Sequence, residues 1–297
     1  MNLAILSQKS TIYSTRRLIE AARERGHNVH RYNHLNFVII MEGKKPYLYY
    51  NNQKISGLDA VIPRIGASAT FYGSAVINQF QVMDVYTTVT SESLWRARDK
   101  FTSLQLLSRV GVGTPKTIFT NYSGRVDEII AGVGGPPLVI KLLEGTQGYG
   151  VILAESVRGA KSVIEAFNKT RTRIIVQEFI KESSGTDIRA FVVGRRVVAA
   201  MRRKATKRGE FRSNLHQGGI GEAIELTDIE RKTALKAAAT MGLDVAGVDM
   251  LQSNRGPLVI EVNASPGLEG IEKYTGVDVA RKIVMYIERQ VKKKIGR

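Results

Sequence analysis

Asp249, Glu261 and Asn263 are three oxygen-bearing side chains whose spacing could hold a metal ion. Val259, Ile260 and Val262 make the stretch around Glu261 a strand. Side chains alternate faces along a strand, so Glu261 and Asn263 point the same way. Directly opposite residues of an antiparallel pair also share a face. If Asp249 sits opposite Glu261, their connection must contain an odd number of residues, with turn chemistry from Ser253-Asn-Arg-Gly256. Two carboxylates and an amide oxygen on one face suit Mg²⁺, which takes carboxylates together with substrate phosphates. An isolated Glu-x-Asn is more often a polar strand face turned to water, so the rest of the chain must decide.

Other candidates precede this hairpin. Glu144-Gly145-Thr146-Gln147-Gly148-Tyr149-Gly150 places three glycines in seven residues. It lies between two strands, which rules out the Walker loop and the dinucleotide fingerprint. A glycine turn between strands can still fold over a triphosphate with its backbone N–H groups. Lys141 ends the strand before it, within reach of a phosphate; Lys100 is a second candidate, on a helix. Glu178-Phe179-Ile180 ends a strand and Asp187 follows, a plausible site for a base edge and ribose hydroxyls. Each has an ordinary structural reading when taken singly.

Composition narrows the function classes. The 297 residues suffice for one large domain or a few small ones, and 43% apolar content supports a buried core. No apolar run is long enough to span a bilayer. The N-terminus lacks the features of a secretory signal. With no cysteine, disulfides, thiolate catalysis and cysteine-bound zinc are excluded. These facts favour a cytoplasmic protein. Forty-four Lys and Arg against 27 Asp and Glu leave a net charge of +17, a field that attracts polyanions. Between Arg195 and Arg212 there are eight basic residues and one acid, Glu210.

The elements that must carry these residues follow from the hydrophobic pattern. Residues 2–6 read as a buried strand, Ile12–Arg25 as an amphipathic helix stopped by Gly26, and Asn28–Tyr32 as the next strand. Phe37–Met41 and Tyr47–Tyr50 read as a hairpin. Ser91–Gly111 carries helical spacing with Arg98-Asp99-Lys100 in its middle. Strands are expected at 138–142, 151–153, 173–180, 187–193 and 196–201, and a helix from the Thr227 cap to about Met241, with Glu230 completing a capping box. The order implies an α/β chain.

Lysine, glycine loop, acidic strand end, Asp, then Asp…Glu-x-Asn is the order of the ATP-grasp ligases. More specifically, the chain resembles the RimK-type ribosomal-protein glutamate ligases over almost its full length. The resembling stretches are Pro63-Arg-Ile-Gly66, Arg96-Ala-Arg-Asp-Lys100, Val139-Ile-Lys-Leu-Leu-Glu-Gly-Thr-Gln-Gly148, Gly185-Thr-Asp-Ile-Arg189, Phe211-Arg-Ser-Asn-Leu-His216, Val245-Ala-Gly-Val-Asp249 and Glu261-Val-Asn-Ala-Ser-Pro-Gly-Leu-Glu-Gly270. The resemblance implies an α+β ATP-grasp fold: a pre-ATP-grasp domain at 1–90, a central subdomain with the glycine lid at 91–180, and a C-terminal subdomain with the metal site at 181–297. ATP would lie between the last two.

By the same resemblance, Lys100, Lys141 and the Gly145–Gly148 loop contact phosphates, Glu178, Phe179 and Ile180 read adenine, and Asp187 holds the ribose. Arg212, Ser213 and Asn214 lie at the phosphate and substrate end. Asp249, Glu261 and Asn263 bind two Mg²⁺ or Mn²⁺, with Glu261 bridging. The implied reaction activates a carboxylate as an acyl phosphate, which the amine of L-glutamate attacks, and Arg212 and Arg189 could stabilise the oxyanion. The implied acceptor is the acidic C-terminal tail of a ribosomal protein (small-subunit protein six), with the Arg195–Arg212 segment lining its approach. A homotetramer is implied as well, with no direct recognition of nucleic acid. Two other readings remain open: a ligase of the same superfamily with a small-molecule acceptor, and a ribosome- or RNA-binding protein whose ATP site is regulatory.

Overall fold

The computed structural model describes residues 1–297 except 44, 121–123, 144–149, 184, 207–209, 214, 216, 217 and 297. The expected glycine-loop contacts Gly145, Thr146, Gln147 and Gly148, and Asn214, lie outside the described residues.

The N-terminal part is built on β1 (Asn2–Leu6), α1 (Tyr13–Glu24), β2 (Asn28–Tyr32), β3 (Phe37–Glu42), β4 (Lys45–Tyr50), β5 (Gln53–Ile55), β6 (Ala60–Pro63), α2 (Thr70–Val82) and β7 (Tyr86–Thr87). The sheet β2-β1-β6-β7 is parallel throughout. Parallel strands are covered on both faces, which is why Leu3, Ala4, Ile5 and Leu6 form an unbroken buried run. The β3–β4 hairpin extends through β5 into an antiparallel three-stranded sheet.

The stretch expected as one helix over 91–111 is two: α3 (Ser91–Arg98) and α4 (Lys100–Arg109). Asp99 breaks it. Its backbone is extended and its carboxylate accepts from the N–H groups of Phe101 and Thr102, capping α4. Lys100 is therefore the first residue of a helix rather than a position inside one.

A central unit follows, made of β8 (Thr117–Ile118), α5 (Val126–Gly132), β9 (Leu138–Leu142), β10 (Val151–Ala154), α6 (Val157–Lys169) and β11 (Ile174–Glu178). Its antiparallel sheet has the order β10-β9-β11-β8. It has its own apolar core, in which Val126, Ile129 and Ile130 of α5 and Ile164 of α6 cover Leu138, Ile140 and Val176.

The C-terminal part comprises β12 (Thr186–Val193), β13 (Arg196–Lys204), β14 (Ile220–Ala223), α7 (Asp228–Met241), β15 (Val245–Leu251), β16 (Leu258–Asn263), α8 (Glu269–Thr275) and α9 (Val279–Ile295). Its antiparallel sheet runs β14-β13-β12-β15-β16. Strand alternation sorts its side chains. Ala190, Val192, Val248, Met250 and Val262 face α7. Phe191, Val193, Met201 and Val245 face α9, α1 and β1. The expected capping box holds α7: Thr227 Oγ1 accepts from Glu230 N, and the Glu230 carboxylate accepts from Thr227 N. Among the described residues no helix is long and apolar enough to cross a membrane.

Candidate active site

Two β-bulges set the register of the charged side chains. The turn between β15 and β16 spans residues 252–257, an even number, and alone would place Asp249 opposite Ile260. The register shifts between Asp249 and Met250, so that Ile260 is the extra residue and Asp249 pairs with Glu261. The odd residue expected in the turn is thus supplied by the strand. A second bulge makes Val198 the extra residue of β13, so Asp187 faces Arg203 instead of Arg202. With Arg189 opposite Asp249, one face of the sheet carries Arg203, Asp187, Arg189, Asp249, Glu261 and Asn263.

These groups are paired tightly. Arg189 donates to both oxygens of Asp249 at 2.7 and 2.6 Å. Arg203 donates to both oxygens of Asp187 at 2.6 Å and reaches Asp249 at 2.9 Å. Burial alone would raise Asp249, but the two guanidinium groups hold its carboxyl below the usual range. Burial would lower Arg203, and Asp249 and Asp187 reverse this and raise it. Asp187, expected to hold a ribose, is 6% exposed and its carboxylate is taken up by Arg203.

Glu261 differs. No hydrogen bond or ion pair to it is found among the described residues. It is open to water in the cleft, yet protein crowds it at longer range, and this desolvation followed by the Asp249 charge pushes its carboxyl up. Facing it are Lys100, whose Nζ donates to the Leu142 carbonyl at 2.9 Å, and Lys141 at the end of β9. Burial lowers both lysines, Lys141 to about 8, with attraction from Glu261 opposing the shift.

Lys100, Lys141, Asp187, Arg203, Asp249, Glu261 and Asn263 line one cleft of about 880 Å³, between the central sheet and the C-terminal sheet and walled also by Ile65, Gly66 and Arg98, while Arg189 lies behind Asp249 and outside the lining. Glu178, Phe179 and Ile180 line it too. The Glu178 carboxylate accepts from Lys116 N at 2.7 Å and from Arg255 in the β15–β16 turn. Phe179 meets Phe211 edge-on at 6.2 Å. Ser213 is buried and Arg212 is tied to Glu210, whose carboxyl it holds down near about 2. The basic segment does not line the cleft as a unit. Arg195 and Arg196 sit at the β12–β13 turn, the end of the hairpin away from Asp187, and Arg202 pairs with Glu222. The sequence reading missed Arg203, because an unbulged hairpin turns Arg202 toward Asp187 instead.

A family model for the RimK-like ATP-grasp domain matches residues 97–287, and one for the RimK pre-ATP-grasp domain matches 1–94. The chain belongs to the RimK-like ATP-grasp family. As such it is an ATP-dependent ligase. A probable alpha-L-glutamate ligase of Nitrosococcus oceani is 55% identical over 97% of this chain and 96% of that one. One from Picosynechococcus is 56% identical over the same shares. Among solved structures, the ATP-grasp ligase PsnB complexed with a precursor peptide and AMPPNP matches with a TM-score of 0.77 at 21% identity, covering 98% of each chain. A RimK domain ATP-grasp protein from Sphaerobacter thermophilus matches with a TM-score of 0.71 at 20% identity, covering 97% of this chain and 99% of that one.

Family members use a divalent metal, and the residues present fit one. Glu261 offers a carboxylate that has no partner among the described residues. The Asn263 amide oxygen accepts from Ser265 N at 2.9 Å and keeps a lone pair. Asp249 has accepted three of the roughly four hydrogen bonds a carboxylate can take. Glu261 and Asn263 are the more available ligands, and Asp249 would contribute through what its arginines leave.

Proposed function

We propose that this protein is an α-L-glutamate ligase that joins L-glutamate to the C-terminal carboxylate of an acidic ribosomal-protein tail. The observation that carries the reading is the opposition of Lys100 and Lys141 to Glu261 across one cleft, an arrangement suited to phosphates bridged to a metal. The naming of the relatives at 55–56% identity supports glutamate as the amine. Two ions, a homotetramer and the division at 1–90, 91–180 and 181–297 belong to the same proposal.

On this reading Lys100 and Lys141 hold the phosphates in line with the attacking carboxylate. Glu261, Asn263 and Asp249 would hold Mg²⁺ or Mn²⁺, which when bound neutralises charge on the β- and γ-phosphates. Phe179, with Ile180 behind it, supplies an apolar surface for the base. The Asp187–Arg203 pair fixes the floor on which the ribose rests. Arg212 stands at the substrate end, where the oxyanion of the amide-forming step develops. Arg189 anchors Asp249 and adds positive charge to the same face.

The test is incubation with ATP, Mg²⁺, L-glutamate and an acidic peptide ending in a free carboxylate. Mass spectrometry should find peptide extended by glutamate, with one ADP released per amide bond. ADP release that needs neither carboxylate nor amine would refute the ligase assignment. Extension of a small-molecule carboxylate but of no acidic tail would refute the acceptor.

A further inference from the structure

The last helix, α9, carries six Lys or Arg and one acid, Glu288, in 17 residues. At 3.6 residues per turn, Arg281, Lys282, Met285, Arg289, Lys292 and Lys293 fall within about 120° of arc. All six are exposed, while Ile283, Val284, Ile287 and Val291 are buried on the opposite side. The nearby acids are already engaged. Glu288 faces α1, where it accepts from Arg25 and His27. Asp278 caps the first turn of α9 and pairs with Arg17. Lys294 lies off the stripe and reaches Asp84. Among the described residues none of the five cations of the stripe is in an ion pair.

A second element brings charge to the same surface. α9 packs on β12 and β13, and Gly194 in the turn between them lies against the Tyr286 ring, where a side chain would clash. Tyr286 neighbours Lys282 and Arg289, four residues before it and three after it. Arg195 and Arg196 in that turn are exposed and flank the stripe, and among the described residues they too are in no ion pair. None of these seven cations lines the cleft. Their turn lies about 20 Å along β12 from Asp187.

We infer that this surface docks the protein on the phosphate backbone of RNA. Arg281 to Lys293 span about 18 Å of helix, room for about five successive phosphates of one strand. A protein partner would call for an apolar centre ringed by polar groups, and the stripe offers Met285 alone. A membrane-surface helix turns its apolar side to lipid, but that side of α9 is committed to the core it shares with α1 and β1. RNA is the polyanion that accompanies a ribosomal-protein tail, so its choice over other polyanions rests on the ligase reading. Docking through phosphates is independent of base sequence. It would hold the enzyme on the particle while the cleft takes the tail.

The test is fluorescence anisotropy of the full-length protein with an RNA duplex of roughly 20 base pairs, from about 50 to 200 mM KCl. One variant combines Arg289→Gln, Lys292→Gln and Lys293→Gln. A second combines Arg231→Gln, Lys232→Gln and Lys236→Gln, an equal loss of exposed charge on α7. Each phosphate contact contributes about 0.7–0.9 to the slope of log affinity against log salt, so the α9 variant should lose about 2–3 of slope and about 100-fold in affinity at about 0.1 M salt. The α7 variant should stay within about threefold. Equal losses in the two would leave net charge as the cause and overturn the docking surface. So would failure of the unsubstituted protein to bind the RNA at micromolar concentration, or its tighter binding of poly-L-glutamate, phosphatidylserine vesicles or a DNA duplex. On a free acidic peptide both variants should keep kcat and KM within about twofold of wild type. A KM raised by the α9 variant alone would assign the stripe to the substrate tail and overturn RNA docking. Binding needs no turnover, so if the unsubstituted protein forms no amide the ligase reading fails by itself and the RNA measurement still decides the surface.

Discussion

Replacing Lys141 by Arg should remove a proton uptake that accompanies ATP binding near pH 8. Burial pushes Lys141 from the ordinary lysine value of 10.5 to about 8, helped by repulsion from Lys100 and opposed by Glu261. In the free protein at pH 8 about half of the molecules carry the charge. Bound phosphates favour the charged form and move the group back toward its ordinary value. Binding should then take up about 0.1 proton at pH 7, about 0.5 at pH 8 and about 0.9 at pH 9. By linkage the affinity for ATP falls about tenfold from pH 7 to pH 9. Titration calorimetry in buffers of different ionisation heat measures the uptake. Arg stays charged throughout, so wild type minus Lys141→Arg cancels protons moved by Glu261, the metal or the nucleotide. Equal uptake in the two proteins would refute the placement of Lys141 at the phosphates. Stability without nucleotide has its own sign. The folded value lies below the unfolded one, so the unfolded chain binds more protons between about pH 8 and 10.5, and stability rises across that window.

Arg203→Met should cost about 3–5 kcal/mol in urea unfolding, because it strands Asp187 and leaves Asp249 with Arg189 alone in a buried network. Arg203→Lys should recover only part of this, since an ammonium cannot span two carboxylates bidentately. Glu261→Gln should lower kcat at least about 100-fold by removing a metal ligand. In chelator the same variant should melt above wild type at pH 7. The Glu261 carboxyl is raised on folding, so its ionisation costs the folded state stability as pH rises above the unfolded value of 4.5. Thr227→Ala should cost about 1 kcal/mol through the lost cap and leave turnover unchanged.

Most of the fold was legible because burial imposes a period. The run Leu3–Leu6, the cap at Thr227 and the strand around Glu261 follow from local chemistry alone. The cleft residues were legible by type and order, but their mutual register was not. Both registers that matter pass through a bulge, at Val198 and at Ile260. A bulge is decided by packing on both faces of a sheet and leaves no mark in a single strand. Hence Arg203 was missed, and the odd residue between Asp249 and Glu261 was assigned to the turn. The helix break at Asp99 was readable in principle. An Asp followed three residues later by Thr is capping chemistry, but unbroken helical spacing across it argued for continuity.

The private core of the central unit has a mechanical consequence. Its apolar side chains are buried against one another, and the chain joins it to the remainder only through residues 110–116 and 179–185. Rotating it would break polar bridges such as Lys100–Leu142 and Arg255–Glu178, which water replaces at little cost, and would expose no core. The two sheets can therefore behave as jaws on a two-strand hinge, each stiff within itself. A nucleotide gripped by both would be the pin that locks them, and hydrogen exchange in β9–β11 should slow when it binds while the interior of the C-terminal sheet hardly responds.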